Sequence, residues 1–107
     1  MRATEKLRNN GISVDEDSLG AVARKFAVRE ISVFGSSVHG ELRPDSDVDL
    51  LVSFQPNAEV SLFDLMDLEK ELSQLFGRTV EVVEAESLTN PIRRRAILSS
   101  IEPLYAA

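Results

Sequence analysis

The sequence predicts a mixed α/β (α+β) fold, a small β-sheet with helices packed against it, and three observations carry that expectation. Short β-rich runs at 31–34, 46–54 and 79–83 stand between longer stretches whose apolar residues recur at helical spacing. The clearest of those stretches, Ser61 to Phe76, sets Leu62, Leu65, Leu68, Leu72 and Leu75 on one stripe. The chain has 107 residues, 43% hydrophobic and 28% charged, which suits one core in one domain spanning 1–107.

Each element has its own local cause. Met1 to Asn10 reads as a short helix ended by Gly11. Ser13 and Glu16 have capping-box spacing, which predicts a helix from about Val14 to Ala27 with Leu19, Val22, Ala23 and Phe26 on one face. Gly20 lowers helix propensity inside it. Ile31 to Phe34 alternates as a strand and stops at Gly35-Ser36-Ser37. Pro44 fixes its own φ and pushes Arg43 out of the helical region, so Arg43-Pro44-Asp45 is a turn. Ser46 to Phe54 is the second strand, with Val48, Leu50 and Val52 on one face. Ser61 and Asp64 cap the long helix and Gly77 ends it. Thr79 to Val83 is a third, β-branched strand. Asn90-Pro91 then supplies an N-cap and a proline at the first helical position. The last helix runs from Ile92 to about Ser100, with Ile101 and Leu104 packing its end.

Composition excludes several classes. Twelve basic against 18 acidic side chains leave a net charge of −6, and a pI near 4.7 disfavours attraction to phosphate backbones, so direct nucleic-acid binding is not expected. Apolar runs fall far short of the ~18 residues of a membrane span, and no basic-then-apolar leader opens the chain. The lack of cysteine removes disulfides, thiolate zinc sites and cysteine nucleophiles together. The expectation is an acidic, cytoplasmic globular domain with no membrane partner.

Chemistry concentrates between Gly35 and Val52. Side chains two apart on a strand share a side, so Asp47 and Asp49 project together while Val48, Leu50 and Val52 anchor the strand. Neighbouring carboxylates repel unless a cation lies between them. A rigid pair of oxygen ligands suits Mg²⁺, which takes one or two carboxylates plus substrate phosphates. Gly35 lets backbone approach a phosphate, whose oxygens exposed N–H groups and the Ser36 hydroxyl can hold. Neither a Walker A loop nor G-x-G-x-x-G is present. Glu81 interrupts the apolar third strand and is the candidate third acid if that strand lies beside the second. Two ions ~3.5–4 Å apart would then activate an attacking oxygen and steady a leaving pyrophosphate.

Each feature alone has a plainer explanation. A Gly-Ser after a strand is commonly a turn, an Asp-x-Asp a solvated strand face, and Glu81 the outward residue of an edge strand. Asp45, Asp47 and Asp49 imitate a calcium loop, but its sixth and twelfth places hold Leu50 and Pro56 instead of glycine and glutamate. Arg93, Arg94 and Arg95 form the one dense basic cluster, serving as a solvated helix face, a triphosphate contact or a docking point.

Taken jointly, Gly35-Ser36 followed by Ser46-Asp47-Val48-Asp49-Leu50 resembles the nucleotidyltransferase superfamily that includes DNA polymerase beta. The phrase from Pro44 to Val52, the helix start Ser61-Leu62-Phe63-Asp64-Leu65 and the strand Gly77 to Val83 narrow the likeness to minimal nucleotidyltransferases (MNT). The resemblance covers about Ile31 to Ile101. It implies a nucleotidyltransferase-like fold and Mg²⁺-dependent transfer of AMP from ATP, with two ions. By the family pattern Asp47, Asp49 and Glu81 are the catalytic and metal-binding acids, and Gly35, Ser36 and Ser37 bind the nucleotide. It further implies an antitoxin paired with a HEPN-type ribonuclease toxin, a helical R-x-x-x-x-H protein whose tyrosine is adenylylated. Two positions depart from the pattern: Ser37 stands where arginine is frequent, with His39 nearby, and Glu81 stands where aspartate is usual. Two other functions share these residues: a non-catalytic antitoxin acting by complex formation, and a nucleotidyltransferase for small molecules.

Overall fold

Alternation along one strand organises the molecule. A computed structural model describes residues 7–8, 11–35 and 47–107. Strands β1 (Val28–Phe34), β2 (Val48–Phe54), β3 (Val80–Glu84) and β4 (Glu102–Ala106) form one mixed sheet in the order β3-β2-β1-β4. β1 is antiparallel to both β2 and β4, whereas β2 and β3 run parallel. Val48, Leu50 and Val52 are buried on one face beside Ile31 and Val33. Helices α1 (Glu16–Lys25) and α2 (Leu62–Phe76) cover that face with Leu19, Ala23, Leu68, Leu72 and Phe76. On the opposite face Leu51 packs with Leu88 and with Ile97 of α3 (Pro91–Leu98). Asp49 and Ser53 share that second face with Leu51, because strand residues two apart point the same way.

The helix caps follow local chemistry. At α2 the Ser61 hydroxyl accepts from Asp64 N–H at 3.1 Å, and the Asp64 carboxylate accepts from Ser61 N–H at 3.0 Å. Gly77 ends the helix at φ +67, as expected. Asn90 and Pro91 begin α3 as expected. The first helix needs correction: Asp15 caps it in place of Ser13. Its carboxylate accepts from Ser18 N–H at 3.2 Å and from the Ser18 hydroxyl at 2.6 Å. These two bonds hold the Asp15 carboxyl below its ordinary range, and the negative charge suits a helix N-terminus. The expected N-terminal helix falls mostly outside the described residues, although Leu7 is buried and its carbonyl accepts from Ile12 N–H at 2.9 Å.

Three further expectations change. β1 begins at Val28, three residues earlier than read, because Arg29 and Glu30 hid a strand whose first residue is buried. Leu62 does not join the buried stripe; it is 70% exposed, in the first turn, where the core cluster that holds Leu65 and Val60 ends. β4 was not anticipated, and Leu104 lies on it against the main core, while Ile101 does pack with Ile97. Its Pro103 is compatible with a strand only at a sheet edge, which is where β4 lies.

The other edge, β3, is secured by α2. Ser73 Oγ accepts from Val80 N–H at 2.9 Å and Glu69 Oε2 from Val82 N–H at 2.8 Å, bracketing Glu81 between two fixed neighbours. These bonds satisfy edge donors that would otherwise invite another strand. Replacing Glu69 with alanine is expected to cost about 1–2 kcal/mol in urea unfolding. Glu69→Gln, which keeps an acceptor, should recover part of that loss. No helix among the described residues is long and apolar enough to cross a membrane.

Candidate active site

The antiparallel register sets Phe34 at the end of β1 across from Asp49 on β2. Gly35 follows immediately at φ +74, a backbone region that favours glycine. A Cβ at position 35 would lie 2.7 Å from Asp49 Oδ2. The glycine backbone and the aspartate carboxylate therefore share one space, which only the absence of a side chain leaves open.

Parallel pairing then places Glu81 of β3 directly beside Asp49. Side chains of paired residues leave the sheet on the same side, so both carboxylates rise from the face that carries Leu51. Asp47 sits just before β2 and is exposed; Val48 N–H donates to Thr79 C=O at 2.9 Å and ties the starts of β2 and β3 together. Burial pushes the half-buried Asp49 carboxyl above its ordinary value, and the charges of Glu81 and Asp47, with a hydrogen bond to Glu81, push the same way. Such crowding favours a shared proton or a cation.

Of the residues singled out from sequence, Gly35, Asp47, Asp49 and Glu81 thus gather at one end of the sheet, where β1 ends and β2 and β3 begin. Ser36, Ser37 and His39, and the turn at Arg43-Pro44-Asp45, lie outside the described residues. Among the described residues no three acids already close on a common metal position. An Asp49–Glu81 pair with Asp47 nearby still suits Mg²⁺, which completes its shell with waters and phosphates. Arg94 lines a groove of ≈340 Å³ with Arg29, Ser32 and Ser53, which Asp47, Asp49 and Glu81 do not line. Thr79 was read only as a strand former, yet it stands just before β3, where its carbonyl accepts from Val48 N–H beside Asp47, a contact that only the β2–β3 register makes visible.

A strand-end glycine against one acid, with a second acid on the adjoining parallel strand, is an arrangement that can hold a phosphate together with its metal ion. The chain belongs to the nucleotidyltransferase domain family, whose model matches residues 16–103. It is 44% identical over 73 residues to the protein adenylyltransferase MntA of Thermococcus cleftensis, covering 68% of this chain and 72% of that protein. A solved structure assigned as a minimal nucleotidyltransferase superposes with a TM-score of 0.70 at 32% identity, covering 97% of each chain. The fold is also shared, with a TM-score of 0.62 at 16% identity, by a chain in a structure of tri-AMPylated Shewanella oneidensis HEPN toxin in complex with MNT antitoxin. That match covers 86% of this chain and 70% of the other.

Proposed function

We propose that this chain is an antitoxin that transfers AMP from ATP to a tyrosine hydroxyl of a HEPN-type toxin in the cytoplasm. The observation that carries the reading is the packing of Gly35 against Asp49, with Glu81 alongside. The adenylyltransferase name of the Thermococcus relative and the AMPylated toxin in the Shewanella complex support the acceptor class.

In this reading the Gly35 backbone, with Ser36 and Ser37 following it, receives the triphosphate tail. Asp47, Asp49 and Glu81 are the residues that would hold Mg²⁺, and the ion, when bound, would supply Lewis acidity to the phosphoryl group. The acceptor oxygen bonds to the α-phosphorus, the bond from that phosphorus to the β-phosphate oxygen breaks, and pyrophosphate and one proton are released. The chain's own share is orientation: a rigid strand pair holds the acids while the glycine turn sets the depth of the phosphates.

Incubation with ATP labelled at the α-phosphate, Mg²⁺ and a HEPN-type R-x-x-x-x-H protein should label that protein at tyrosine. Asp47→Asn is expected to lower the rate on the order of 10²-fold. Neutralisation that survives Asp47→Asn combined with Asp49→Asn, without label transfer, would instead identify a non-catalytic antitoxin.

A further inference from the structure

The start of α2 carries a surface that neither the core nor the active site uses. Leu62, Phe63 and Met66 are 70%, 76% and 56% exposed. Their spacing places them together on the first turns of the helix. Single exposed apolar residues are ordinary, but three contiguous large ones form a patch. Alongside runs a groove of ≈400 Å³ between the end of α1 and the start of α2, lined by Glu59, Asp64, Asp67 and Glu71. Lys25 is the one cation in its lining, and it is paired with Glu71 at 2.8 Å. Among the described residues none pairs with Glu59 or Asp67. The surface is thus apolar at its centre and negative along one side, with the exposed Lys70 one turn beyond Met66 at its far end.

We propose that this surface docks an amphipathic helix of the protein substrate, one that carries lysine or arginine beside an apolar stripe. Charge complementarity selects that occupant: a second copy of this chain, meeting it face to face, would set acidic rim against acidic rim. The location fits a docking role. The groove includes Ala27 and Ala58, at the end of the sheet where Val28 pairs with Phe54, whereas Asp49 pairs with Phe34 at the other end. Six residues at ~3.3 Å each separate the two ends by roughly 20 Å, so a docked helix leaves the acids open. The surface would therefore set the affinity for the acceptor rather than the rate of the chemical step.

The inference rests on the proposed pairing with a HEPN-type toxin, and the purified toxin is the probe. The double variant Phe63→Asp, Met66→Asp is expected to raise KM for the toxin at least tenfold with kcat within twofold of wild type. Binding by wild type should weaken as salt rises from 0.05 to 0.5 M, on the order of tenfold. An unchanged Tm shows that the variant folds, and Leu62→Ser serves as a milder second variant expected to raise KM two- to fivefold. Transfer by wild type with KM unchanged in both variants overturns the docking surface alone. Failure of wild type either to bind or to label the toxin overturns the pairing and the docking surface together. Sedimentation that shows a wild-type dimer, lost in the double variant, assigns the patch to a second copy and also overturns the proposal.

Discussion

Asp49→Asn is expected to lower nucleotidyl transfer by about 10²–10³-fold while making the metal-free protein slightly more stable. The two effects have one origin. Asp49 lies beside Glu81 across a parallel strand pair, and burial together with the Glu81 and Asp47 charges raises its carboxyl above the ordinary value. A raised folded-state value means that the native protein binds the proton more tightly than the unfolded chain does. The stability associated with this group is therefore fully present below about pH 3.8 and is lost as pH rises through the folded value. Asparagine removes the like charge, and relief of directly opposed charges is worth roughly 0.2–1 kcal/mol, reduced by the solvent that reaches the pair. Calorimetry without metal should show Tm rising by about 1–4 °C. With Mg²⁺ and ATP present, wild type should gain stability from ligand binding and the variant should gain less. A variant that loses stability without ligand, or keeps its activity, would remove Asp49 from the acidic centre.

Gly35→Ala should be nearly as damaging to activity, through geometry instead of charge. The new Cβ would stand 2.7 Å from Asp49 Oδ2, closer than packed atoms come, so either the strand end or the carboxylate must move. Displacing a reacting group by about 1 Å can cost on the order of 10²-fold in rate. The left-handed backbone adds strain of about 1–2 kcal/mol. Gly77→Ala separates the two contributions. Gly77 has φ +67 but no heavy atom within 4 Å of its would-be Cβ, so alanine there should cost about 1 kcal/mol in stability and leave kcat intact. Equal activity losses in the two variants would show that strain, and not displacement of Asp49, is responsible.

Local rules were enough for much of this protein. The cap at Ser61 and Asp64, the stop at Gly77 and the start at Asn90-Pro91 appear where side-chain chemistry demands them, since each is settled within a few residues. The alternation from Val48 to Val52 likewise declares one buried face with Asp49 on the other, although that second face is packed as well, at Leu51 against Leu88 and Ile97. Elements decided by distant partners were less legible. β1 extended through Arg29 and Glu30 because β2 and β4 were there to pair with, whereas the cap at Asp15 in place of Ser13 was a local competition, won by two bonds from Ser18 three residues on. β4 exists because β1 had an open edge, a circumstance that no property of Glu102-Pro103-Leu104-Tyr105 announces.

The candidate site divides in the same way. Asp47 and Asp49 are two apart, the first just before β2 and the second on it, and their closeness belongs to the amino-acid order itself. That Glu81 stands beside Asp49, that Gly35 closes against the same carboxylate, and that Leu62, Phe63 and Met66 are left uncovered depend on register and packing. Gly35 and Asp49, 14 positions apart, and Asp49 and Glu81, 32 apart, meet only when the sheet is assembled. Side-chain period acts along the chain, whereas register is set by the burial of whole faces, and that is a property of the folded molecule alone.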